Sequence, residues 1–295
     1  MTGDRRQSRV RWGARRLLMI LILTLGSLGL LNTDDDHAAA AGTTDLRNMP
    51  WVTVNDTVMG GRSSATVSWN DAGQLIWSGN LSLENNGGFV SIRSRSPWSD
   101  WSSYDGVEVV LEGAGREIQV SAQRGDRVMR AGGYRAMLPT EVRGDTRVFI
   151  PFSAFVLKRF GREVAGPSLP DGLRSVGDWG LLMADKREGA FQVTLKSITP
   201  ARHTKDTRTS PKVRATLIKA IERGVPVFNA GDPKGCAAIY GEVLQQLVGQ
   251  GLLGPRAWAH QVSRAALTRA TSQSDTDAAW TLRRAIDAIL RSLPG

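Results

Sequence analysis

Between residues 42 and 200, Asp56, Glu84, Asp105, Asp178, Asp185 and Glu188 are carboxylates that could act as acid and base across a sugar. A glycoside hydrolase needs such a pair, so a carboxylate-based glycoside-active enzyme is one reading of this stretch. Spacing alone brings no two of them within range. The stretch contains no histidine and no cysteine. That excludes a Ser-His-Asp triad, a Cys-His dyad and a zinc site on imidazole or thiolate built from its own residues. The segment "NNGGF" (85–89) lacks a P-loop lysine and runs into a strand pattern, so it is not a phosphate cradle. The expectation is a protein that binds without catalysis and without a cofactor or metal.

The residues available for binding are Asn55, Asp56, Asn85, Asn86, Arg93, Trp98, Trp101, Asp185 and Lys186. Asn55 and Asp56, in "WVTVNDTVMGGRSSATVSW" (51–69), either grip a ligand or close an Asx-type turn by accepting free backbone N–H groups. Gly60 and Gly61 behind them allow unusual backbone angles or a close strand crossing. Asn85, Asn86, Gly87 and Gly88 read as a tight turn or as a second polar grip. Arg93 alternates with Val90 and Ile92, which puts it on a solvated face or in a salt bridge at the mouth of the sandwich. Asp185, Lys186 and Arg187 follow the apolar "WGLLMA" and are candidates to pair with Asp56, pinning the first loop to the last hairpin. In "SPWSDWSSYDG", Trp98 and Trp101 are either an exposed platform for a sugar ring or buried filling.

These residues must be positioned by strands. "SATVSW", "QLIWSGNLSL", "GFVSIRS", "GVEVVLEG", "EIQVSAQR", "TRVFIPF", "WGLLMA" and "AFQVTLKSI" are short runs rich in Val, Ile, Phe and Trp, often alternating with polar residues. "NDAG", "NNGG", "YDGV", "EGAGR" and "KREGA" supply turns between them. Eight or nine strands with no helical period between them predict an all-β jelly-roll sandwich over residues 42–200.

Residues 201–212 read as a linker, polar and punctuated by proline. The period then becomes helical, predicting a small helical bundle over 213–295. The first helix is expected to open at Ser210-Pro211 and stop at Gly224, before Pro226; the second opens at Asp232-Pro233 and the third near Pro255. The fourth places Leu282, Ile286, Ile289, Leu290 and Leu293 on one stripe. Cys236, the single cysteine, sits in the apolar run "GCAAIYGEVLQQLV" and reads as a small buried residue.

The net charge of +10 is unevenly distributed: residues 42–200 carry 18 Lys/Arg against 17 Asp/Glu, and residues 201–295 carry 14 against 7. The basic excess of the helical segment fits an acidic partner or the anionic surface of an envelope membrane. Six arginines in the first sixteen residues, an apolar run over 17–31 and the small residues ending near Ala40 or Ala41 predict a secretory signal peptide over 1–41; a retained anchor through 17–31 is the alternative. The protein is therefore expected to be periplasmic or extracellular, which argues against a nucleic-acid partner.

"VNDTVMGGRSSATV", "GNLSLENNGGFVSIR", "YDGVEVVLEGAGREIQV", "VFIPFSAF" and "WGLLMADKREGAFQVTLKSI", in this order and spacing, resemble the complex I intermediate-associated protein 30 family across essentially the whole β segment. The resemblance implies a jelly roll of the galactose-binding-like class and a non-enzymatic assembly-factor role toward a protein partner. Carbohydrate-binding modules share that architecture, so an envelope glycan is the competing ligand. Ala65 departs from the family pattern, where glycine is common after the serines. The helical segment lies outside the resemblance.

Overall fold

A computed structural model describes residues 46–113, 115–126, 132–140, 144–204, 208–209 and 211–293. The segment read as a signal peptide or anchor lies outside these residues, as does Ser210. Among the described residues no helix is long and apolar enough to cross a membrane.

Among the described residues, twelve strands form two antiparallel sheets. The seven-stranded sheet runs in the order β1 (Trp51–Asn55), β4 (Val90–Ser94), β11 (Val176–Met183), β6 (Ile118–Arg124), β7 (Gly132–Leu138), β9 (Val156–Arg159) and β10 (Arg162–Glu163). The five-stranded sheet runs β2 (Ser64–Trp69), β3 (Leu75–Leu81), β12 (Gly189–Ala201), β5 (Gly106–Glu112) and β8 (Asp145–Pro151). The sandwich read from the alternation is present. Residues 118, 120 and 122 of β6 are fully buried while 119, 121 and 123 are half-buried, a period of two with one side on the core. Trp77, Ile92, Leu111, Tyr134, Leu138 and Ile150 fill the space between the sheets, each large apolar side chain contributing about 1.5–3 kcal/mol. Trp77 meets Phe191 edge to face, with centroids 5.1 Å apart.

Four strands are absent from the sequence reading: β1, β7, β9 and β10. β7 is "GGYRAML", whose paired glycines and arginine mask its alternation. It forms because β6 on one side and β9 on the other supply its hydrogen-bonding partners.

Helices α1 (Lys212–Asn229), α2 (Pro233–Gly249), α3 (Trp258–Ala270) and α4 (Asp275–Ser292) follow. Asp232 caps α2 by accepting from the Gly235 N–H at 2.8 Å, and Ser274 caps α4 by accepting from the Asp277 N–H at 3.2 Å. Of the predicted stripe, Leu282, Ile286 and Ile289 of α4 and Leu293 just past its end are buried, and Leu290 is half-buried. The expected stop of α1 at Gly224 is corrected: the helix continues through Pro226 to Asn229. Gly224 serves packing, since a Cβ there would stand 2.4 Å from the Tyr240 ring.

The helices cover the free edge of β8. Ala257 pairs with Phe149 of that strand, Gln261 Nε2 donates to the Arg147 carbonyl at 2.9 Å, and buried Trp258 donates Nε1–H to the Met137 carbonyl at 2.7 Å. Ser153 Oγ donates to the Ser292 carbonyl, and Arg269 pairs with Glu117. An edge that would otherwise template aggregation is closed by the chain itself.

Candidate functional site

The loops at one end of the sandwich are organised by Asp56. Its side chain is fully buried. Oδ1 accepts from the Ser63 N–H at 2.8 Å; Oδ2 accepts from Ser63 Oγ at 2.5 Å and from the N–H groups of Gly88 and Phe89 at 2.6 and 3.2 Å. Burial pushes this carboxyl up, but those hydrogen bonds outweigh burial and hold it below its ordinary value. The glycines of both loops follow from the same carboxylate. A Cβ at Gly61 would stand 2.4 Å from Asp56 Oδ1, and one at Gly87 would stand 2.6 Å from Oδ2. "NDTVMGG" and "NNGGF" are thus two halves of one device.

Asp56 therefore closes its turn through side-chain partners 7 to 33 residues away. Asn85 and Asn86 are exposed and take left-handed backbone angles, φ 54° and 57°, as the turn demands. Asn55 keeps a buried Oδ1 without a protein donor.

The expected pairing of Asp185 with Asp56's loop is replaced by a different contact. The Asp185 side chain, 2% exposed, accepts from Arg116 Nε and Nη2 at 2.6 and 2.7 Å. This fork-to-fork pair is completed by Arg116 Nη2 donating to the Arg187 carbonyl at 2.7 Å. The first loops and the last hairpin are still joined, through Glu188, whose Oε1 accepts from the Leu83 N–H at 2.8 Å. Lys186 lies exposed at the tip of that hairpin with φ 57°.

The exposed-platform expectation separates its two tryptophans. Trp101 is buried and stacks on Trp179 at 4.6 Å between centroids, so it belongs to the core. Trp98 is 41% exposed. Its ring lies over the backbone of Gly177, where a Cβ would stand 3.0 Å from Cε3.

That ring stands at one end of the outer face of the seven-stranded sheet, the face turned away from the core. Lateral register places Val52, Arg93, Gly180, Ser121, Arg135 and Val156 in one row across six strands of this face. A neighbouring row pairs Gly177 with Gln123, and Lys158 lies opposite Gly133. Gly177 and Gly180 are three apart and would face opposite sides of a regular strand; the register shift between them, where Asp178 takes φ 50°, brings both to the outer face. The centre of the row is thereby low, a glycine and a serine between two arginines. Arg93 and Arg135 are three strand spacings apart, roughly 14 Å between Cα atoms, a gap their side chains can close from both sides.

Both arginines are half-buried, and among the described residues neither has a hydrogen-bond or ion-pair partner. Burial draws Arg93 below the ordinary arginine range; burial and then the charge of Arg93 do the same to Arg135. Lys158 is lowered by burial, then by Arg135, with Glu163 opposing and Arg291 adding to the fall. Gln119 and Gln123, on the same face, keep buried side-chain oxygens without protein donors. The arrangement suits a ligand that brings negative charge. Among the described residues no group of three or more His, Cys, Asp or Glu side chains is placed to hold a metal ion.

The structure thus brings Arg93 and Trp98 to one face and keeps Asn55, Asp56, Asn85, Asn86, Trp101, Asp185 and Lys186 off it or in structural roles. Arg135 and Lys158, missed in the sequence, stand on two of the missed strands. Their signal was a basic residue within a short apolar run, Arg135 in "GGYRAML" and Lys158 beside Arg159 in "VLKR".

Fold and face together define a two-sheet jelly-roll sandwich with a helical cover. The chain belongs to the complex I intermediate-associated protein 30 family, whose model matches residues 40–195. Among solved structures it is similar to the family 11 carbohydrate-binding module of a cellulosomal cellulase of Clostridium thermocellum, at 16% identity and a TM-score of 0.38, covering 53% of this chain and 88% of that one. The same module in complex with a β-1,3-1,4-mixed-linked tetrasaccharide gives 16% identity, a TM-score of 0.38, and coverage of 52% and 89%. TmCBM61 in complex with β-1,4-galactotriose gives 11% identity, a TM-score of 0.26, and coverage of 52% and 89%. Likeness at this level says nothing of ligand. No curated protein matches the chain.

Proposed function

We propose that this chain is an exported, non-catalytic binding protein that holds an acidic surface of a protein partner on the outer face of its seven-stranded sheet. The observation that carries the reading is the pair Arg93 and Arg135, without a partner among the described residues and half-buried on one face with the exposed Trp98 ring at its end. Arginine and tryptophan dominate the energy of protein interfaces, and a partner carboxylate set between the two guanidiniums would restore the missing counter-charge. The family's name, which describes association with an intermediate of complex I, is in keeping with a partner of this kind. Absence of catalysis is supported by the state of Asp56 and Asp185, whose oxygens are engaged by the fold.

The test is affinity capture from envelope extracts with the wild type and with Arg93→Glu/Arg135→Glu, followed by direct binding of the purified captured protein. The charge-reversed variant is expected to lose it. A partner held equally by both proteins would defeat the reading. Export is checked by amino-terminal sequencing of protein recovered from the envelope fraction, expected to begin near residue 42.

A second reading is favoured by Trp98 itself: a carboxylate-bearing glycan would stack a sugar face on the ring and set its acid groups on the arginines. Titration of the full chain with polygalacturonate, followed by tryptophan emission, is expected in that case to saturate in the wild type and to stay flat in Trp98→Ala.

A further inference from the structure

Helices α1, α2 and α4 line an open-mouthed cavity of about 250 Å3, outside the segment that the family model matches. Its walls are apolar: Val225 and Phe228 from α1, Ala279 and Trp280 from α4. Phe228 and Trp280 meet edge to face, with centroids 5.5 Å apart, and Trp280 is 50% exposed, so the rings stand at the mouth. Buried Cys236 and Tyr240 also line the cavity. Arg283 closes one side, with Nε bonded to Asp287 at 2.9 Å and Nη1 at 3.5 Å from the Tyr240 hydroxyl. Its Nη2 has no partner among the described residues.

The lining is divided by chemistry. One part offers only carbon. The other is polar: the free Nη2 N–H groups of Arg283, the Asn229 side-chain amide, and the Tyr240 hydroxyl hydrogen-bonded to the Cys236 thiol, which burial keeps protonated. No carboxylate lines the cavity. Its volume exceeds the ~150 Å3 that holds a benzene ring in an apolar protein cavity and falls short of the ~300–1,000 Å3 of drug-sized sites.

We propose that this cavity is a binding site for a small aromatic carboxylate, its ring between Phe228 and Trp280 and its acid group on Arg283. The site is independent of the sheet face and of whatever binds there. The ring replaces water against four apolar side chains, and the acid accepts from the unused guanidinium edge next to the Tyr240 hydroxyl.

Phenylacetate is the probe, with 2-phenylacetamide as its neutral counterpart, titrated against the full chain by ligand-observed NMR. The alkylation rate of Cys236 by N-ethylmaleimide is a second readout. Phenylacetate is expected to bind saturably and to slow alkylation. Trp280→Ala, at a half-exposed position, should abolish binding with the unfolding midpoint unchanged. Arg283→Gln should weaken phenylacetate about tenfold and leave phenylacetamide unaffected. No saturable binding to the folded wild type overturns the proposal, as does binding insensitive to both substitutions. Equal affinity of the wild type for acid and amide overturns the assignment of the head group.

Discussion

Asp56 and Arg116 on one side, Arg93 and Arg135 on the other, are charged residues of the same sandwich in opposite states. Asp56 and the Arg116–Asp185 pair are withdrawn from water and saturated with partners: four hydrogen bonds to Asp56, two from Arg116 to Asp185 and a third to a carbonyl. Arg93 and Arg135 are partly withdrawn from water and carry none among the described residues. The fold consumes the first group, whereas the described residues supply no counter-charge to the second. A charge that loses solvent without gaining a partner among the described residues is where the proposed partner's counter-charge would act.

Stability measurements can break that comparison. The largest effect is expected from Asp56→Ala, which strands the Ser63, Gly88 and Phe89 N–H groups in the interior and should lower unfolding stability by about 4–5 kcal/mol in urea titration. Arg116→Met, which leaves Asp185 buried without its partner, should remove about 3–5 kcal/mol, most of it recovered when Asp185→Leu is added. Gly61→Ala drives a methyl into the Asp56 carboxylate and should cost about 1–3 kcal/mol.

The pH dependence sharpens the same point. Asp56 titrates lower in the folded chain than its ordinary 3.8, so its contribution is complete above that pH and is lost as pH falls through the folded value. Wild type should therefore lose stability below pH 3.8 more steeply than Asp56→Asn, measured as urea midpoint against pH. The smallest effect is expected at the other region. Arg93→Ala and Arg135→Ala should change stability by no more than about 0.5 kcal/mol, because neither breaks an internal bond and each relieves repulsion from the other. A large loss there would mean that the two arginines hold the fold and would erase the distinction.

The legible part of the site was the part made by local chemistry. Asn85 and Asn86 are turn residues because short polar side chains tolerate left-handed angles, and that preference is written in the residue type. Asp232 and Ser274 cap helices for equally local reasons. Arg93 was visible as a charge on a strand, but its neighbours were not. Trp98 and Trp101 sit three residues apart in one polar loop, yet one ring caps an outer sheet face and the other stacks on Trp179. Nothing within the loop separates them; both lie against β11, Trp98 over outward-facing Gly177 and Trp101 on buried Trp179, and the two faces of that strand set them apart. The partner of Asp185 is hidden for a related reason: Arg116 lies 69 residues away at the end of the "EGAGR" turn, a pattern that marks a reversal of the chain and not what its arginine meets.

By itself, the order of residues determined two things: a period of two up to about residue 200 and a helical period after it, which set a sandwich followed by helices, and the absence of imidazole and thiol from the sandwich. Tertiary structure alone decided which alternating polar residues became neighbours. Arg93, Gly180, Ser121 and Arg135 lie on β4, β11, β6 and β7, and they form a row only because the sheet runs in that order with a one-residue shift at Asp178. Side-chain alternation is a property of a single strand, whereas lateral adjacency is a property of strand order, and strand order is set by long-range pairing that no local window contains.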